Sequence, residues 1–243
     1  MNRTLAVAAA GMATQQALLD TITANLANVD VPGFRVNRSD FAPFIAADGT
    51  AFAPQGQPAR RLFGQGRLDF TDNPNDLAIE GAGFFVVRNS RGLCGYTRAG
   101  NFTPDASGRL RLPNGATLEG VRLPRASTSF SIDEHGRLFA QVAARRVDVG
   151  AGHIKLANFP NPSGLRLDAD GIFYPTADSG RAFVGSPGGA VGHIKQRTLE
   201  RANISVVSAM MAVLGAQRAY EANAKALQAG DEMLRLANNL ERS

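Results

Sequence analysis

Two long segments, one at each end of the chain, carry almost no charge yet keep a helical repeat. Between Thr4 and Val29 the one charged residue is Asp20, and from Ala202 to Gln217 there is none. Leu5, Met12, Leu19 and Leu26 recur every seven residues, with Ala8, Gln15, Ile22 and Val29 three positions on. That alternation of three and four predicts a helix over 4–29 with a coiled-coil seam. Pro32 and Gly33 stop it, since proline cannot continue a helix and glycine suits the turn. At the other end Leu199, Val206, Val213, Tyr220, Leu227 and Leu234 run beside a row of small residues, Ala202, Ala209, Ala216, Asn223, Gly230 and Ala237. A large row beside a small one lets a second helix approach closely. Asn203 or Ser205 suits the cap, and a helix from there to about Asn239 is ~50 Å long.

A surface helix in water normally opposes its apolar stripe with a charged face. Here the outer faces hold Ala, Thr, Gln, Asn and Ser. Polar surface depleted of charge has the composition of protein contact area. The helices are therefore expected to pack on each other and to be surrounded by other subunits. The candidate interface residues are Leu5, Met12, Leu19, Ile22, Asn25, Leu26 and Asn28 in the first helix. In the second they are Val206, Met210, Val213, Tyr220, Asn223, Leu227 and Leu234. Asn25, Asn28 and Asn223 are candidates for polar contacts that fix register. The competing reading of each Asn is a helix-end cap or a solvated residue.

Between the helices the period changes. Gly83–Val87, Leu118–Val121, Ser129–Ile132 and His153–Leu156 are short β-branched and aromatic runs separated by turn signals, as in an antiparallel β domain. One device recurs in Asp105-Ala-Ser-Gly108, Asp133-Glu-His-Gly136 and Asp168-Ala-Asp-Gly171. Aspartate opens such a turn through its side chain and glycine takes the left-handed position, so each reads as a hairpin turn. The organisation expected is α+β: an N-terminal helix (1–30), an extended connector (31–69), a central antiparallel β domain (70–195) and a C-terminal helix (196–243). The two terminal helices, distant in sequence, pair in a coiled-coil-like layer.

The chain has 243 residues and a formal net charge of +5, but its arginines are scattered rather than clustered. That disfavours nucleic acid, which calls for a basic stretch interleaved with aromatics. Cys94 is the one cysteine, so no internal disulfide forms. No segment reaches the ~20 apolar residues needed to cross a bilayer as a helix. Leu5–Ala13 looks like a short secretory signal, but the helical repeat runs on past any cleavage site. His135, His153 and His193 stand apart with no ligand spacing, and neither a phosphate loop nor a nucleophile elbow is present. Gly81-Ala-Gly83 is followed by strand residues rather than a helix, and Asp168–Gly171 has Ser179 where a calcium loop needs Glu. No enzyme, no cofactor and no metal is expected.

Several motifs carry a family resemblance. Asn25-Leu26-Ala27-Asn28 with Pro32-Gly33-Phe34-Arg35 resembles the N-terminal signature of bacterial flagellar rod and hook proteins. Gly66–Thr71, Asn73–Val87, Tyr96–Phe102 and Asp105–Leu110 follow that family's central motif in order. Arg218–Lys225 and Asp231–Leu234 resemble its C-terminal signature. The resemblance spans most of the chain and points to the FlgF/FlgG class. It implies a structural subunit of the basal-body rod that polymerises helically into the hollow drive shaft transmitting torque from motor to hook. It also implies a paired-helix inner layer with the β domain outside it. The partners implied are the chain itself, other rod and hook axial proteins and the flagellar type III export apparatus, without signal cleavage or membrane insertion. The connector between Phe41 and Gly66 leans towards FlgF and Arg218–Glu221 towards FlgG, and Ser208-Ala209 stands where the family often has an acidic residue. A secreted adhesin or type III translocon-like component that assembles through terminal helices is the alternative.

Overall fold

The computed structural model describes residues 2–39, 41–45, 52–56, 60–124, 129–142, 145–189 and 191–240. The side chains of 2–7, 41–45, 52–56, 141–142, 145–151, 234 and 236–240 lie outside that description. The chain divides into two compact units. One comprises Met1–Asn28, Val36–Leu62 and Ile204–Ser243, and the other Val29–Arg35 and Phe63–Asn203.

The first unit is built on two helices, α1 (Asn2–Ala27) and α2 (Val206–Leu240). Alanine is frequent in both, and it forms helix at the least conformational cost. α1 closes on its own asparagines: the Asn28 N–H donates to the Asn25 carbonyl (3.0 Å) and its side-chain amide to the Ala24 carbonyl (2.8 Å). After the turn the chain folds back beside α1. The Asn25 amide donates to the Asn37 carbonyl (2.7 Å) and accepts from the Asn37 N–H (2.9 Å), as a neighbouring strand would. The Thr21 and Ser39 hydroxyls share a bond of 2.8 Å. Strand Asn37–Arg38 pairs with Arg60–Arg61, and Phe41–Ile45 with Phe52–Gly56, both antiparallel. Part of the expected connector is thus ordered strand.

α2 starts later than its seven-residue row. Leu199 lies in strand Thr198–Glu200, held antiparallel to Leu68–Phe70. A strand residue can fall on a helical repeat by coincidence, and the ladder decides. Ser205 caps the helix, its Oγ accepting from the Ser208 N–H at 3.3 Å. Asn203, the other candidate cap, instead donates its amide to the Gly64 carbonyl (3.0 Å).

The second unit is antiparallel β. Among the described residues its largest sheet has nine strands. Seven lie in the order Arg166–Leu167, Phe173–Tyr174, Cys94–Thr97, Phe84–Arg88, Thr117–Leu118, Leu110–Arg111 and Thr103–Pro104, while Leu156–Asn158 also pairs with Phe84–Arg88 and carries Phe183–Gly185 on its far side. Ser129–Ile132, Arg137–Val142 and Arg145–His153 form a three-stranded meander, and His193–Gln196 pairs with Leu77–Glu80. Residues 84–87 of strand Phe84–Arg88 are buried on both faces, which explains their unbroken apolar run. Phe85 and Val87 enter one cluster with Leu77, Phe102 and Leu138, and Phe84 and Val86 the other with Tyr96, Phe159 and Phe173. Ring edges meet faces in both, Phe85 on Phe102 at 5.6 Å and Tyr96 on Phe159 at 4.8 Å.

Each Asp-x-x-Gly segment closes a hairpin, with Gly108, Gly136 and Gly171 at φ of +80°, +78° and +73°. In the first, the Asp105 carboxylate accepts from the Ser107 hydroxyl (2.7 Å) and from the N–H groups of Ser107 and Arg109, each at 2.8 Å. The Ser107 hydroxyl, then the Arg109 N–H, hold the Asp105 carboxyl below the usual carboxylate range. A carboxyl depressed in the folded state contributes stability above its ordinary value and loses it as pH falls through the folded one. Acidification below about pH 4 should therefore weaken resistance to urea, and Asp105→Asn should flatten part of that slope. An identical pH profile in the variant would count against the assignment.

Candidate subunit interface

α1 and α2 pack along one another inside the first unit. Ala8 and Ile22 of α1 and Ala216 of α2 are buried there. Asn223 crosses to Gly11 of α1: a Cβ built on Gly11 would stand 2.8 Å from the Asn223 Nδ2. Glycine on one helix thus admits an amide from the other, and sliding the pair would drive that amide against a bulkier residue.

The sequence-predicted interface residues divide three ways. Ile22 and Asn25 are buried within the chain, and both ends of the Asn25 amide are engaged by Asn37. Met12, Leu19, Leu26, Asn28, Val213, Asn223 and Leu227 are half-buried, while Val206, Met210 and Tyr220 are exposed. The side chains of Leu5 and Leu234 lie outside the described residues. Met233, off the seven-residue rows, is exposed as well, and so are three large apolar residues in the first turns of α2 that the rows pass over: Val207, Met211 and Leu214. Their own spacing of three and four was the available signal.

The second unit contains a buried ionic centre with no local sequence signature. Glu200 is fully buried, and its carboxylate accepts from Arg35 (2.7 Å), Arg98 (3.2 Å) and the Gly66 N–H (2.9 Å). Arg98 also donates to the carbonyls of Ile79 (3.3 Å) and Gly81 (2.7 Å). Burial lowers the Arg98 guanidinium to about 10; the Glu200 charge opposes that shift and the Arg35 charge adds to it. The Nε atoms of Arg35 and Arg98 are buried without a hydrogen-bond partner. Gly33, at φ +70°, brings its segment against Arg98 and Ala99, and its N–H donates to the Glu200 carbonyl at 2.8 Å. This centre is built to hold segments together, since Glu200 is closed off from any substrate.

Among the described residues nothing resembling a reaction centre accompanies these features. No three His, Cys, Asp or Glu of that set stand where they could hold a metal ion, and no helix in it is long and apolar enough to cross a membrane. A cleft of about 770 Å³ is lined by Pro74, Asn75, Pro104, Asp105 and Phe130 among others, but its carboxylate is occupied by its own turn.

Comparison with known proteins decides what this assembly of parts is. Residues 5–35 match the model described as flagella basal body rod protein. Residues 78–140 match that of the flagellar hook protein FlgE/F/G D1 domain, and residues 195–240 that of the flagellar basal body rod FlgEFG protein C-terminal. The flagellar basal-body rod protein FlgG of Borreliella burgdorferi is 34% identical over the whole of both chains. FlgG of Caulobacter vibrioides is 33% identical over 97% of this chain and 98% of its own. The flagellar hook protein FlgE of Rhizobium meliloti is 34% identical over 48% of this chain and 30% of its own.

The chain belongs to the flagellar rod proteins of the FlgF/FlgG class. It is a structural subunit of the basal-body rod and not an enzyme, and the adhesin or translocon alternative finds no support. Arg35 and Arg98, which meet at Glu200, both lie in segments that carried the family resemblance.

Removing the carboxylate from a buried ion cluster leaves uncompensated charge. Glu200→Gln should cost about 3–5 kcal/mol in urea unfolding. Asp69→Asn, which breaks the exposed contacts to Arg67 and Arg201, should cost far less, because solvent screens that pair. Equal losses would remove Glu200 from its central place. In the helices, Gly215 faces open space, so Gly215→Ala should stabilise α2 by up to about 1 kcal/mol. Gly11→Ala should give no such gain, because Asn223 must move; helical circular dichroism on heating separates the two.

Proposed function

We propose that this rod subunit polymerises head to tail into the hollow shaft that carries torque from motor to hook. Its terminal helices, α1 and α2, form an inner layer in which they pair as a coiled coil and pack on neighbouring subunits. The β domain, 70–195, is joined to them by the connector 31–69. The observation carrying this reading is the pair of helices with charge-depleted faces and large apolar side chains left in water. A contact between unlike patches that does not close on itself generates a helical filament.

Its partners on this reading are further copies and the other rod and hook axial proteins. Relatives covering the whole chain bear the name FlgG, which supports the FlgG place in the rod. The flagellar type III apparatus exports it without signal cleavage. Half-buried Met12, Leu19, Leu26, Val213 and Leu227 supply the seam, each worth about 1.5–3 kcal/mol on full burial before association costs. Asn223 fixes its register.

Leu26→Asp should abolish motility and incorporation into hook–basal bodies while leaving the β signature in circular dichroism intact. Quantitative mass spectrometry of those particles reads the incorporation. Loss of the β signature would refute the division into two layers. Absence of the wild-type chain from purified, motility-competent particles would refute the rod assignment.

A further inference from the structure

α2 has two apolar sides, and α1 can account for only one. Ala216 is buried and Asn223 reaches Gly11, so their side of α2 is the one that meets α1. At about 100° per residue, Val207, Met210, Met211 and Leu214 fall on the far side. All four are exposed, Val207 at 73% and Met211 at 66%. The spacing i, i+3, i+4, i+7 makes them one continuous stripe, the pattern by which a helix is read by a groove or by another helix. The stripe is bounded. Further along the same side come Arg218, Glu221 and Lys225, all exposed and charged. A stripe left by chance has no reason to end where charge begins.

The chain also carries a surface of opposite relief and matching chemistry. The exposed side of α1 presents Ala13, Ala17, Ala24 and Ala27, with Gln16 and Thr23 beside them. The one charge on it among the described residues, Asp20, already accepts a hydrogen bond from Gln16 at 3.0 Å. Small side chains let a helix approach closely, and long Met and Leu side chains fill the grooves between them. The stripe brings no charge of its own, so the one charge among the described residues that it would cover is Asp20, whose carboxylate keeps the Gln16 amide as a partner.

We infer that the stripe Val207–Met210–Met211–Leu214 is the docking surface for the outer face of α1 in a second copy of this chain. The inference rests on the rod-subunit reading and names the contact that would propagate it. It joins unlike surfaces, so each copy keeps one stripe and one α1 face free for the next. Stripe-to-stripe pairing would instead be self-complementary and close at a dimer.

The test places the photo-crosslinking amino acid p-benzoylphenylalanine at Met211 in cells and irradiates purified hook–basal bodies. A product at twice the mass of one chain, whose crosslinked peptides come from α1, is the expected result. Crosslinks to α2 of a second copy, or to a different protein, overturn the inference. So does the absence of any product while the chain is present in the particles; in these cases the rod assignment stands. Absence of the wild-type chain from the particles is the separate failure, that of the assignment itself. The same probe at Val207 gives a second reading that does not depend on the Met211 variant assembling. Met211→Leu should swim as wild type and Met211→Asp should not.

Discussion

A single carboxylate organises the β unit. Glu200 draws in Arg35, Arg98 and the backbone of Gly66, so three stretches remote from it in sequence converge on one buried point. Burying an ion pair is expensive, and an apolar cluster of equal volume is often as stable. What the ionic arrangement adds is direction. An alignment that sets Glu200 between the two guanidinium groups gives each of them a carboxylate oxygen and leaves one net positive charge, and a shift of one residue would strip both of that partner. The carbonyls of Ile79 and Gly81 take up donors of Arg98 that the carboxylate cannot reach. Backbone geometry is part of the same constraint. A Cβ at Gly66 would collide with the Arg201 carbonyl, and one at Gly33 with the backbone of Arg98 and Ala99.

Features determined by neighbours along the chain are legible in the amino-acid sequence. The two helices follow from charge depletion and a three-four repeat. The three Asp-x-x-Gly hairpins follow from turn chemistry confined to about six residues. The family resemblance is equally local, residing in runs such as Asn25–Asn28 and Arg218–Lys225. Glu200, by contrast, is 165 residues from Arg35. Nothing in its flanking residues distinguishes a buried acid from the solvated ones elsewhere in the chain. Leu199 shows the opposite failure, a position that fits the helical row and yet belongs to a ladder with Asp69. Periodicity reports which residues share a face, and tertiary pairing decides whether the helix has begun.

The asparagines show why polar residues in an apolar seam are hard to assign. An amide has donors and an acceptor on one planar group, so it can substitute for a strand's backbone or mark the register of a helix pair. Asn25 does the first, bonding Asn37 through both ends. Asn28 bonds back to Ala24 as a helix-end cap. Asn223 is the one that meets the opposite helix, and the reason sits on that helix, in the missing side chain of Gly11. Sequence exposes the amide but not the absence that receives it.

α2 itself is graded along its length, and that gradient bears on how such a chain remains manageable before it assembles. Its first turns are apolar on the side facing α1 and again on the far side, whereas from Arg218 onward the far side is charged. A helix apolar all round would have to be buried in the free chain, and one with a fully charged outer face could not be buried in an assembly. Concentrating most of the exposed apolar side chains of α2 in its first turns, from Val206 to Leu214, keeps the patch short while leaving enough to recognise a partner. The outer face of α1 makes the complementary compromise: it is built mainly of alanine, with Asp20 its one charge among the described residues, and presents no large apolar side chain. Neither surface is sticky alone, and the affinity arises when knobs meet a surface shallow enough to seat them.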